Sequence, residues 1–158
     1  MSVKPIPDGY YTVTPYLVVN GAAAAIDYYK KAFGAIELVR MPGPGGKIMH
    51  AEIKIGNSPI MLGDEAPERD VKGPLSLGGS PIGICLYVPN VDAMFDTAIA
   101  AGGKALYPVK DQFYGDRSGT LIDPFGHKWT VATHIEDVSP EDMKKRMEAA
   151  MKEFCSTS

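Results

Sequence analysis

Hydrophobic positions recur with two periods along this chain, and the order in which the periods change occurs twice. Tyr11 to Val19 (YTVTPYLVV) reads as a strand, rich in β-branched and aromatic residues. It runs into Asn20-Gly21 and then AAAAIDYYKKAFG, where Asn20 is an N-cap candidate and the alanines and lysines favour helix. Ile26, Tyr29, Ala32 and Phe33 share one helical face before Gly34 ends the segment. Ile36 to Met41 is a second strand, followed by a Pro42 to Gly46 tip. Ile48 to Ile55, a Gly56-Asn57 turn and Pro59 to Leu62 form a hairpin. The first half is therefore βαβββ.

Residues 66–80 carry Gly, Pro and charge without a period and read as a linker. The order then repeats. Ile82 to Val88 is a strand, Val91 to Ala101 a helix closed by Gly102-Gly103, and Ala105 to Tyr107 a strand. Ser118 to Ile122 and Lys128 to Thr133 form a hairpin around Asp123-Pro124-Phe125-Gly126, in which Pro124 fixes φ, Gly126 supplies positive φ and Asp123 bonds its own turn amides. Placing Gly126 on Gly56, and Pro89-Asn90-Val91 on Asn20-Gly21-Ala22, aligns two copies of about 60 residues. The expected division is a paired domain over 10–138, with module one at 10–65, the linker at 66–80 and module two at 81–138. A C-terminal helix over 139–154 follows, capped by Ser139 with Pro140 at its first position. Met143, Met147, Ala150, Met151 and Phe154 make an apolar stripe along it.

Composition narrows the class. With 158 residues, 45% hydrophobic and 22% charged, the chain has enough apolar material for one globular domain. A formal charge of −3 with scattered Lys and Arg provides no basic face, so neither nucleic acid nor an anionic membrane is an expected partner. No apolar run approaches the roughly 18 residues of a spanning helix, and a soluble cytoplasmic protein is expected. Cys85 and Cys155 form no CxxC and no disulfide framework, and are read as reduced thiols.

Three motifs, TPYLVVNGAAAAIDYYKKAFGA, KIMHAEIKIGNSPIMLGDE and FYGDRSGTLIDPFGHKWTVATHIEDVSPEDM, occur in this order between Val13 and Met143. They closely resemble the vicinal oxygen chelate superfamily, the glyoxalase, bleomycin-resistance and extradiol-dioxygenase group, and within it the PhnB-like sequences. The resemblance implies an α+β fold of two βαβββ modules, their strands forming a curved mixed sheet around a cup with the helices on the convex side. It also implies a homodimer, since members of the superfamily pair modules between chains. Metal-dependent members place ligands on the inward face of the first and last strand of each module. Carried over residue by residue, those positions are Thr14, Ile60, Gly83 and Thr130. None is a credible donor for a divalent ion, which needs about three converging imidazole, carboxylate or thiolate groups. No metal and no cofactor are expected.

Strand alternation selects what lines the cup. If Thr130 points inward, so do Ala132 and His134, while Trp129 and Val131 face the helices. The same parity turns Thr14, Tyr16 and Val18 inward from the first strand, and Gly83, Cys85 and Tyr87 from the fifth. The resemblance adds Ser118, Thr120 and Ile122, and the repeat alignment sets His50 and Glu52 opposite Thr120 and Ile122. An imidazole and a carboxylate two residues apart on one face are a serviceable acid/base pair. Tyr114 and Phe113 wall the cup or pack beneath it, and Met41, Met49 and Met61 suit an adaptable apolar cavity. Arg117 is either an anion-binding group or a structural partner for Asp116 and Asp123. Two functions stay open. One is a metal-independent module that binds a small molecule through Tyr16, His50, Glu52, Tyr87, Tyr114, Arg117, Thr120 and Thr130. The other is a lyase, isomerase or transferase-type enzyme in which His50 and Glu52 are acid and base, or displaced metal ligands together with His134.

Overall fold

The computed structural model describes the backbone of residues 3–156 and side chains through Lys152, so Phe154 of the apolar stripe and Cys155 lie outside the described side chains. In chain order the elements are β1 (Tyr16–Val19), α1 (Ala22–Phe33), β2 (Ile36–Pro42), β3 (Ile48–Ile55), β4 (Ser58–Asp64), α2 (Pro74–Leu77), β5 (Gly83–Tyr87), α3 (Val91–Ala100), β6 (Lys104–Asp111), β7 (Asp116–Ile122), β8 (Lys128–His134) and α4 (Pro140–Ser156). The strands make two four-stranded sheets of the same topology, ordered β1-β4-β3-β2 and β5-β8-β7-β6. In each, the first strand runs parallel to the last and the remaining pairs are antiparallel. The fold is therefore α+β, built from two βαβββ modules and a C-terminal helix. No described helix is long and apolar enough to cross a membrane.

The two modules share one core. Helices α1 and α3 pack together, with the Tyr28 hydroxyl donating to the Ala98 carbonyl at 3.2 Å. Phe33 and Tyr29 of α1 meet Trp129 of β8 with ring centroids 4.7 and 5.3 Å apart. Asp123, 3% exposed, occupies the centre of this contact. Its Oδ1 accepts from the Phe125 and His127 amides, both at 2.9 Å, closing the turn. Its Oδ2 accepts from the Tyr29 hydroxyl and from Trp129 Nε1, both at 2.8 Å. His127 is buried and reaches the Val18 carbonyl of β1, with Nε2 3.1 Å away.

Several local expectations change. Strand β1 begins at Tyr16 rather than Tyr11, its pairing opened by the Met61 amide donating to the Pro15 carbonyl. Asn20 does not cap α1. The cap position is Gly21 in a left-handed conformation, and Asp64 at the end of β4 accepts from the Gly21 and Ala22 amides at 2.7 and 2.9 Å. Its second oxygen takes the Ile48 amide at 2.7 Å, so one carboxylate joins the start of α1 to β3 and β4. The linker holds a turn of 3-10 helix at Pro67–Arg69 and then α2. Buried Glu65 fastens it by accepting from the Gly73 amide and the Ser76 hydroxyl. Helix α4 starts as expected, with Ser139 Oγ accepting from the Asp142 amide. Of its stripe, Met143 and Ala150 are half-buried while Met147 and Met151 stay exposed. A bidentate Arg146 to Glu136 pair at 2.6 and 2.7 Å ties it back.

Candidate functional site

Side chains on the sheet faces away from the helices are the ones free to meet a ligand. In β3, Ala51, Ile53 and Ile55 enter the core while His50, Glu52 and Lys54 take the open face. In β1, Leu17 and Val19 are buried and Tyr16 and Val18 are open. Ile60, expected to point inward, is 2% exposed and packs in the core; its neighbour Met61 takes the open face instead. The cause is turn length. Ile53 pairs with Ile60 and Leu121 with Trp129, so the longer Asp123 to His127 turn shifts the second copy by one residue. Glu52 therefore corresponds to Thr120 and His50 to Ser118, two residues from the alignment made on the turn glycines.

The open face of the first sheet carries a connected polar chain. Glu52 accepts from the Tyr10 hydroxyl and lies 3.1 Å from His50 Nε2. His50 Nδ1 stands 3.3 Å from the Tyr16 hydroxyl, which is also 3.5 Å from the Met49 carbonyl. Tyr10 and then His50 hold the Glu52 carboxyl below its usual range, and the Tyr10 phenol is pushed up to about 12 by the carboxylate it faces. Burial raises Tyr16, keeping it a neutral phenol. Gly63 makes room for this arrangement, since a Cβ there would sit 3.0 Å from the Tyr16 hydroxyl and 2.8 Å from the Met49 carbonyl. Beside Tyr16 opens a cavity of about 560 Å³ whose wall includes Val18, Ile48, Met49, Lys47 and Arg69.

The second sheet is arranged differently. Thr120 and Thr130 face each other with hydroxyls 3.0 Å apart, and with Tyr107, Tyr114 and Ser118 they line a cavity of about 370 Å³. Phe113 and Tyr114 meet edge to face. Tyr87 donates to Asp116 Oδ2 at 2.8 Å, and His134 Nδ1 meets Asp116 Oδ1 at 2.8 Å while its Nε2 reaches Asp137 at 3.0 Å. Those two carboxylates, Asp116 first, raise the His134 pKa, and the His134 contact lowers that of Asp116.

Two expectations need correction. Arg117 does not line the open face: its guanidinium pairs with both oxygens of Asp92 on α3 and with Asp111, at 2.7 to 2.8 Å, so it is an internal clamp between sheet and helix. Nor does the chain bring His134 to His50 and Glu52, because His134 belongs to the second sheet. Among the described residues no three His, Cys, Asp or Glu side chains converge on a common metal position. Sequence reasoning missed two participants. Asp116 was within reach of the alternation rule, being two residues before Ser118, whereas the pairing of Tyr10 with a strand 42 positions away leaves no local signal.

A family model described as the Glyoxalase/Bleomycin resistance protein/Dioxygenase superfamily matches residues 10–131. An uncharacterized protein of Mycobacterium bovis is 43% identical over 138 residues, covering 85% of this chain and 91% of that one. Among solved structures, a protein of Pseudomonas aeruginosa is similar with a TM-score of 0.65 and 26% identity, covering 80% of this chain and 99% of its own. The PhnB protein of Bacillus cereus shares the fold at a TM-score of 0.60 and 16% identity, covering 78% and 99%.

Proposed function

The chain belongs to the glyoxalase/bleomycin resistance protein/dioxygenase superfamily, and we propose that it is a PhnB-like member that binds a small organic molecule on the open face of its first sheet without the superfamily's usual metal site. The observation that carries this reading is the cavity of about 560 Å³ beside Tyr16. Its size lies in the range of small-molecule sites, and its apolar wall interrupted by a few polar groups is their usual chemistry. The metal-free part rests on the donor set, for the ligand positions carry Thr14, Met61 in place of Ile60, Gly83 and Thr130. The reading includes a homodimer, supported by Tyr87 and Tyr107, which are 67% and 68% exposed on the open face of the second sheet. It also includes a cytoplasmic location, supported by cysteine usage.

Binding is tested with an anionic naphthalene dye titrated by fluorescence. We expect saturable binding that Tyr16→Ala weakens about tenfold, since a packed ring contributes roughly 1 kcal/mol beyond its area. His50→Ala, which removes a partner of the Tyr16 hydroxyl rather than a wall of the cavity, should weaken it less, with thermal stability nearly unchanged. Elemental analysis finding about one zinc, nickel or manganese per chain, lost on His50→Ala, would overturn the metal-free reading.

A further inference from the structure

Resting on that binding site, we propose that the Tyr16 hydroxyl is a proton-transfer group, backed by His50 and Glu52, and that it acts on a small 2-oxo acid held in the adjoining cavity. Three features lead there. Polarity comes first: Glu52, an acceptor of the Tyr10 hydroxyl, is a carboxylate, so the His50 nitrogen 3.1 Å from it is the one that carries hydrogen. In the neutral ring this leaves Nδ1 bare, 3.3 Å from the Tyr16 hydroxyl. Carboxylate, imidazole and hydroxyl thus stand in the order of a nucleophile-activating triad, with a phenol as the outermost member. Position comes second: His50 does not line the cavity of about 560 Å³, whereas Tyr16, half exposed, borders it. A ligand proton therefore meets the phenol first.

The third feature is the cavity's charge. Lys47 and Arg69 border it, and Lys47 donates to the Glu65 carbonyl rather than to a carboxylate, leaving donors for an anion. Three acids also line the cavity, so its basic edge is local; the lone pairs of two of them are turned to neutral donors, Asp64 to the Gly21, Ala22 and Ile48 amides and Glu65 to the Gly73 amide and Ser76. Glu68 is the third and is solvent-exposed. A carboxylate at the basic edge and an apolar body along Val18 and Met49 bring the carbon next to a ketone toward Tyr16.

The step balances without a co-reactant. The C3–H bond breaks, its electron pair forms a C2–C3 double bond, and the carbonyl pair moves onto oxygen. The proton goes to the Tyr16 oxygen as the phenol's own proton passes to His50 Nδ1, and Glu52 holds the resulting imidazolium. Reversal returns a proton to C3 or to the enolate oxygen, so the net result is exchange with solvent or tautomerisation. Tyr16 is the catalytic residue here, while Glu52, acting through His50, is a positioning residue.

The full chain is incubated with 4-phenyl-2-oxobutanoate in D2O, loss of the C3 proton signal is followed by NMR, and affinity for the same compound is measured by calorimetry. We expect exchange about a hundredfold above the protein-free rate. Tyr16→Phe should abolish the acceleration with affinity within about threefold of wild type, and Lys47→Ala should weaken affinity about tenfold, as loss of a charge-assisted contact does. Glu52→Gln should lower the rate about tenfold without changing affinity, and Glu52→Asp should recover part of it. Binding with exchange at the protein-free rate, or full exchange in Tyr16→Phe, overturns the inference and leaves the binding site standing. Failure to bind this acid while the naphthalene dye binds overturns the ligand class. Failure of both to bind overturns the binding reading itself.

Discussion

Asp123 ties its own turn to helix α1 through one buried carboxylate. It accepts four hydrogen bonds with 3% exposure, and one of them comes from helix α1 of the other module. Replacing it with Ala leaves four buried donors without partners, each worth about 1–3 kcal/mol when orphaned. We expect Asp123→Ala to lose roughly 4 kcal/mol, which for a chain of this size lowers the melting temperature by about 10 °C or more. Calorimetry showing a shift of only a degree or two would contradict this. The half of its role that lies within the turn was legible from the Asp-Pro-Phe-Gly sequence. The half that reaches Tyr29, 94 residues away, was not, because no local pattern encodes which helix lies beneath a hairpin. Arg117 shows the same limit: a structural ion pair was one of its two readings, but its partners proved to be Asp92 and Asp111 rather than Asp116 and Asp123.

At the scale of elements, alternation was the reliable guide. It put Tyr16, Val18 and Thr130 on the open faces because side chains along a strand alternate whatever the tertiary context, and the repeat alignment, two residues out of step, still kept His50 and Glu52 on the open face. It failed at Ile60, where the register was carried across two turns of unequal length. It also left unread what the end of β8 does. There His134 sits between Asp116 and Asp137, just before the segment that leads into α4. Its pKa is raised, so the stability it contributes is complete below the ordinary histidine value near 6.5 and is lost as pH climbs through the higher folded-state pKa. Asp116 is lowered, and its contribution is present above the ordinary carboxylate range and lost as pH falls through the folded-state pKa. The cluster therefore holds best in mildly acidic solution. Following the His134 ring protons by NMR should give a midpoint above 6.5, and Asp116→Asn should bring it down; a wild-type midpoint at or below 6.5 would exclude the arrangement.

Taken whole, the molecule exposes large apolar side chains outside the proposed ligand cavity: Tyr87 and Tyr107 on the second sheet, Met41 on the first, Met147 and Met151 on α4. Self-association through the open faces and the α4 stripe would cover them. Sedimentation equilibrium at micromolar concentration should show a species of about twice the 17.0 kDa chain mass, and a sole species at 17.0 kDa would refute the dimer. The duplication, by contrast, is fully internal, and the contact made by Asp123 alters what it means for folding. Because Tyr29 belongs to the first copy and Trp129 to the second, and both meet on one buried carboxylate, opening either half strips partners from the other. The repeat is thus a unit of topology, while the unit of cooperativity is the pair.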